Sequence, residues 1–240
     1  MIMHDHDNSI ASHEQRLAQY FGTMTETWSS VENIAPGIYV YHDVLPEDMQ
    51  LIQRVESVLS DPNSHYKWQD ALVGYAQKMP EYRDCVDFKY RKSDIAGDTS
   101  TYSVALQEVW QDAYDKMLNC VKHYSTIHSI GELRYWEAMN FVKYGPNQHF
   151  QEHHDHGYSY NCTVSLVAYP NDDYEGGELV FRTWDLTYKA KAGDVVIFPS
   201  NYMYPHTAKR VESGIKYSLV TMLDFSAKYH RPEMYNETDD

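Results

Sequence analysis

Between residues 131 and 223 the chain breaks into short β-prone segments separated by turn signals, and this pattern constrains the fold more than any other feature of the sequence. The predicted strands are 133–144, 150–156, 162–169, 177–182, 186–189, 194–199 and 216–223. Gly145-Pro146-Asn147, Pro170-Asn171-Asp172-Asp173, Gly176-Gly177, Ala192-Gly193-Asp194 and Ser213-Gly214 separate them. Many short strands at such spacing predict a double-sheet barrel or jelly roll. An alternating strand at 38–44 and two helical stretches come first. Leu51, Ile52, Val55, Val58 and Leu59 form one apolar stripe at helical spacing. Leu106, Val109, Trp110, Ala113, Met117, Leu118 and Val121 form a second, over 102–124. Helices followed by strands predict a mainly β domain with N-terminal helices packed on the outside of one sheet.

The 240 residues suit one large domain with extensions. The folded domain is expected over 33–228, with a polar extension at 1–32 and an acidic, proline-containing tail at 229–240. A short helix is predicted around 13–20. His4 and His6 alternate with Asp5 and Asp7, but a mobile terminus does not preorganise metal ligands. Residues 64–101 are the least regular. Their aromatics are compatible with a lid over a site or with short strands packed on the core.

The formal charge is −15, which repels phosphate backbones. The densest basic run, Lys89-Tyr90-Arg91-Lys92, is too short to offset it, so nucleic acid is not an expected partner. Cys85, Cys120 and Cys162 are odd in number and widely spaced, which points to a reducing compartment. The opening residues have neither a basic nor an apolar leader region, and no run approaches the roughly 20 apolar residues of a membrane span. A cytoplasmic protein without a membrane partner is expected, and the sequons at Asn161 and Asn236 read as accidental.

The chemistry concentrates at 144–157, YGPNQHFQEHHDHG. In a strand, residues two apart share a face, so His153 and Asp155 would stand side by side and His154 would face away. An imidazole and a carboxylate on one face are two of the three ligands of a 2-His-1-carboxylate triad, a site for Fe(II). His149, His154, His156, His206 and His230 are candidates for the third. His206 is favoured, because jelly-roll topology brings a late strand beside an early one. Lys216 lies ten residues after His206, and Ser218 shares its strand face. A lysine aimed into a barrel is costly unless it meets an anion; otherwise its head reaches water at the strand end. Arg182 and Trp184 read as rim residues, Glu178 as part of the glycine turn and Cys162 as a buried strand residue.

These positions resemble the Fe(II)/2-oxoglutarate-dependent dioxygenases, and among them the prolyl 4-hydroxylase-like group. The resemblance is carried by Tyr144-Gly145, Phe150, His153, Asp155, Gly176-Gly177-Glu178-Leu179, Ala192-Gly193-Asp194, Phe198, His206 and Lys216. It covers roughly 33–224. It implies a double-stranded β-helix core, with His153, Asp155 and His206 binding Fe(II). It implies that Lys216 pairs with the distal carboxylate of 2-oxoglutarate, with the hydroxyls of Tyr144 and Ser218 reaching the same group. The implied reaction couples oxidative decarboxylation of 2-oxoglutarate by O2, giving succinate and CO2, to hydroxylation of a C–H bond. Ascorbate is the implied reductant. The expected substrate is a prolyl residue in a peptide or protein. The rivals are a free amino acid or other small molecule, alkylated nucleic acid, and a jelly-roll binding module without turnover. The family often carries a Trp soon after the Lys strand, where this chain has Met222-Leu223-Asp224.

Overall fold

The computed structural model describes residues 28–73, 77–91, 97–157, 161–227 and 230. The helix predicted at 13–20, the pair His4 and His6, and the tail after His230 fall outside the described residues. The chain opens with β1 (Ser30–Ala35) and β2 (Ile38–His42), then helix α1 (Leu51–Leu59). Three short strands follow: β3 (Gln69–Asp70), β4 (Arg83–Asp84) and β5 (Val86–Tyr90). Helix α2 (Thr101–Ile127) leads into β6 (Tyr135–Trp136), β7 (Met139–Tyr144), β8 (His149–His153) and β9 (Val164–Ala168). Next come β10 (Glu175–Gly176), β11 (Leu179–Phe181), β12 (Leu186–Tyr188) and β13 (Val195–Pro199). The last strands are β14 (His206–Ala208), β15 (Val211–Ser213) and β16 (Lys216–Asp224).

Two main sheets form. The larger runs β1-β2-β13-β9-β16-β7-β5-β3, with β6 also on β16, and the smaller runs β12-β11-β14-β8-β4. From β7 onward the chain alternates between them: β7, β9, β13 and β16 lie in one, and β8, β11, β12 and β14 in the other. This is the expected jelly roll. The strands β9 (VSLVA) and β13 (VVIFP) are almost wholly buried. They read as almost continuous apolar runs, broken in β9 only by Ser165, because helices cover their outer face and the small sheet their inner face, as in other sheets buried on both sides. The neighbouring β7 shows the two faces separately. Its Met139 and Phe141 pack with Leu106, Val109, Met117 and Val121 of α2, while Val142 and Tyr144 turn inward. Ser100 caps α2, its hydroxyl accepting from the Ser103 amide at 3.2 Å.

The predicted strand at 133–144 is divided into β6 and β7. The one predicted at 150–156 stops at His153, because its partner β14 begins there: His206 lies opposite His153 and nothing of β14 extends further. Asp155 therefore sits in the turn beyond the strand, not in it. The strands β14 and β15, too short and polar to show a pattern, were not expected. Within 64–101 the described residues are strands and connections that extend both sheets, and Leu72, Val73, Tyr82, Arg83 and Lys89 among them also line the interior cavity.

Candidate active site

A cavity of about 550 Å³ opens between the two sheets. His153, Asp155, His206, Lys216, Tyr144 and Ser218 all line it. The register of two strand pairs puts them there. Pairing of β14 with β8 sets His206 opposite His153, and pairing of β16 with β7 sets Lys216 opposite Tyr144.

His153, Asp155 and His206 offer ligand atoms that all lie within 4.8 Å of one another. The Nε2 of His153 is 3.6 Å from Asp155 Oδ1, and that of His206 is 3.8 Å from Asp155 Oδ2. Both imidazoles are oriented from behind. The Nδ1 of His153 donates to the Gln151 carbonyl at 2.8 Å, and that of His206 to the Tyr204 carbonyl at 3.1 Å. A carbonyl only accepts, so each ring carries a proton on Nδ1 and turns its Nε2 toward the carboxylate. Burial, reinforced by His206, pushes the pKa of His153 well below the ordinary histidine value. Its ring is neutral at physiological pH, the form that binds a metal. Phe150 stacks on His153 with ring centroids 3.5 Å apart, and the Arg83 guanidinium lies 4.9 Å above Phe150. Two imidazoles and one carboxylate form the donor set that suits Fe(II) and leaves further coordination positions open.

Lys216 is buried deep in the same cavity, with 2% of its surface exposed. Its Nζ donates to the Gly177 carbonyl at 2.7 Å and lies 5.3 and 5.4 Å from the ring centroids of Tyr144 and Tyr169. It is ion-paired with no carboxylate among the described residues. Gly177 makes room for it: at φ +66° a side chain is strained, and a Cβ there would lie 3.1 Å from Lys216 Cδ. Burial, with the nearby Lys189, lowers the Lys216 pKa to about 7. A dicarboxylate bound beside Lys216 would supply the missing counter-charge and return the amine to its charged form. Binding of 2-oxoglutarate at pH 8 is therefore expected to take up close to one proton. Calorimetry in buffers of different ionisation enthalpy measures this, and zero uptake would detach Lys216 from the binding event.

The other histidines do not join the triad. His154 lines the cavity but its Nδ1 bonds the His156 carbonyl, and His156 bonds the Cys162 carbonyl at 2.8 Å. His149 is buried against the Glu81 carbonyl, and His230 bonds Asp224. Arg182 is exposed and pairs with Glu152, Trp184 packs on Tyr204, and neither reaches the cavity. The sequence reading missed Tyr169 and Arg83. Tyr169 follows Ser165 and Val167 on the inward face of the β9 stretch, a period-two signal that the almost continuous apolar run concealed. Arg83 bonds Asp87 and the Leu72 carbonyl, both at 2.9 Å, from a segment with no readable pattern.

Comparison with known proteins agrees with this geometry. Residues 139–223 match the sequence profile described as the 2OG-Fe(II) oxygenase superfamily. A PKHD-type hydroxylase of Prochlorococcus marinus is 34% identical over 85 residues, covering 32% of this chain and 37% of that protein. A PKHD-type hydroxylase of Colwellia psychrerythraea is 36% identical over 66 residues, covering 27% and 28%. The matches thus span 37% and 28% of these relatives' own length. The fold resembles a Trichoplax adhaerens prolyl hydroxylase solved with a hypoxia inducible factor peptide, at TM-score 0.60, 12% identity and coverage of 78% of this chain and 83% of that one. It also resembles a Pseudomonas putida prolyl-4-hydroxylase, at TM-score 0.52, 17% identity and coverage of 78% and 92%. The segment that carries the triad and the buried lysine, residues 139–223, thus matches the 2OG-Fe(II) oxygenase superfamily, on a jelly roll whose fold resembles those of the solved prolyl hydroxylases.

Proposed function

We propose that this chain is an Fe(II)- and 2-oxoglutarate-dependent hydroxylase whose substrate is a prolyl residue in a peptide or protein. The observation that carries the reading is the meeting of His153, Asp155 and His206 with an unneutralised buried Lys216 in one cavity. In this reading His153, Asp155 and His206 hold the metal through two Nε2 atoms and a carboxylate oxygen. Bound iron supplies the oxidative chemistry on O2 and the 2-oxo acid. Lys216 draws the distal carboxylate into the cavity by charge, beside Tyr144, Tyr169 and Ser218, which line the same cavity. Phe150, Val167, Leu179 and Val220 give the cavity apolar walls.

A cavity of about 550 Å³ exceeds what a five-carbon dicarboxylate fills and leaves room for a substrate side chain. Its remaining lining, with Leu72, Val73 and Tyr82 beside Lys89, Glu137 and Asn140, suits a residue carried on a peptide. The structural relatives named as prolyl hydroxylases support the same choice, one of them solved with a peptide. Ascorbate would keep the iron reduced. The three cysteines are buried and free, which fits a reducing, cytoplasmic setting, and no helix among the described residues is long and apolar enough to cross a membrane.

The test is succinate release with Fe(II), ascorbate and 2-oxoglutarate against proline-containing peptides and free amino acids. Peptide-dependent succinate with a mass gain of one oxygen on proline is the expected result. Succinate stimulated only by free amino acids would replace the substrate assignment. No succinate and no metal binding would leave a binding module.

A further inference from the structure

We infer that Ser165, backed by Ser200, is a positioning residue that fixes the rotation of the Asp155 carboxylate and so decides which of its oxygens a metal meets. The inference rests on the metal-binding reading above. Ser165 lies within β9, where its neighbours are Val164, Leu166, Val167 and Ala168, and it is fully buried. Ser200, just after β13, is 1% exposed. A hydroxyl in such an environment is unfavourable unless it is bonded. Ser165 Oγ is 2.5 Å from Asp155 Oδ2 and 2.7 Å from Ser200 Oγ.

The direction of this chain follows from proton counting. An ionised carboxylate only accepts, and each serine has one hydroxyl proton. Ser165 gives its proton to Asp155, so Ser200 must donate to Ser165. The order is Ser200 to Ser165 to Asp155. Ser200 is itself fixed: its amide donates to the Thr163 carbonyl at 3.1 Å, and its carbonyl accepts from the His156 amide at 2.9 Å.

Asp155 needs such an anchor because it stands beyond the end of β8, where no ladder bond orients it. The Ser165 bond engages Oδ2, which lies 3.8 Å from His206 Nε2, and leaves Oδ1 free of a protein donor among the described residues, 3.6 Å from His153 Nε2. The two imidazoles have their own anchors in the Gln151 and Tyr204 carbonyls. Ser165 does for the carboxylate what those carbonyls do for the rings. Partners of this kind typically contribute about 10–100-fold to metal affinity.

Mn(II) binding, followed by the EPR signal of the free ion, tests this without turnover. S165A is expected to weaken Mn(II) binding about tenfold, with the thermal midpoint of the metal-free protein little changed. S165T, which keeps the hydroxyl, is expected to restore most of that affinity. S200A leaves Ser165 able to donate and is expected to cost less than S165A. Wild-type Mn(II) affinity in S165A overturns the inference. So does equal weakening in S165A and S165T together with equal loss of stability, which would mark a packing role. If S165A does not fold, S200A decides: a measurable loss of Mn(II) affinity smaller than about tenfold, at an unchanged thermal midpoint, supports the inference, and wild-type affinity overturns it. Failure of the wild-type chain to bind Mn(II) overturns the metal reading itself, a distinct result.

Discussion

Asp155→Ala is expected to abolish 2-oxoglutarate turnover and to weaken Mn(II) or Fe(II) binding at least a hundredfold. Asp155 is the one anion of the three side chains, placed between both Nε2 atoms at 3.6 and 3.8 Å. Its removal takes away a donor and the charge that opposes the cation, where altering an outer partner alone costs about 10–100-fold. His153→Ala should behave alike. The fold gives a matched control in His154→Ala, which removes the adjacent imidazole but leaves the triad intact. That variant is expected to keep metal affinity within about twofold. Binding that survives Asp155→Ala, or that is lost in His154→Ala, would move the metal site elsewhere. Titration of each variant with Mn(II), alongside succinate release, measures both.

Lys216→Met is expected to raise the 2-oxoglutarate requirement more than a hundredfold while leaving Mn(II) affinity nearly unchanged. Removing one member of a buried charge pair costs about 3–5 kcal/mol. The same substitution is expected to stabilise the ligand-free fold. The folded pKa of Lys216, about 7, lies below its ordinary value of 10.5, so between those values the unfolded chain holds more protons. The folded state therefore gains stability as pH rises through that window and loses it as pH falls toward 7. Near neutrality the burden is roughly 4 kcal/mol, and methionine of similar length removes it. Denaturation without 2-oxoglutarate should show Lys216→Met at least as stable as the wild type at pH 7, with the difference narrowing toward pH 10. A destabilised Lys216→Met with an unchanged 2-oxoglutarate requirement would make Lys216 a packing residue. Glutarate, which keeps both carboxylates but lacks the 2-oxo group, should lose affinity in the same variant.

Much of this site was legible because its residues act through local spacing. His153 and Asp155 are two apart, Lys216 stands at a strand start after a glycine turn, and the turn signals mark where strands end. The alternation argument brought His153 and Asp155 together by a partly wrong route. It assumed a strand through Asp155, whereas the ladder ends at His153 and a turn brings the carboxylate round. Helix periodicity located α1 and α2 because each packs one stripe on the outside of the large sheet.

What the sequence determined by itself was the order of the helices and most of the strands, and which residues carry side chains of metal-ligating and carboxylate-binding type. Those depend on period, turn chemistry and side-chain type, which are local. Only the tertiary structure decided that His206 lies opposite His153 and Lys216 opposite Tyr144, because register is set between strands far apart in the chain. It alone decided that Lys216 is buried without a carboxylate rather than reaching water, a question of depth that no spacing encodes. It alone brought Ser165 and Ser200 to Asp155, since a serine in an apolar strand has no readable partner until the sheets close around it.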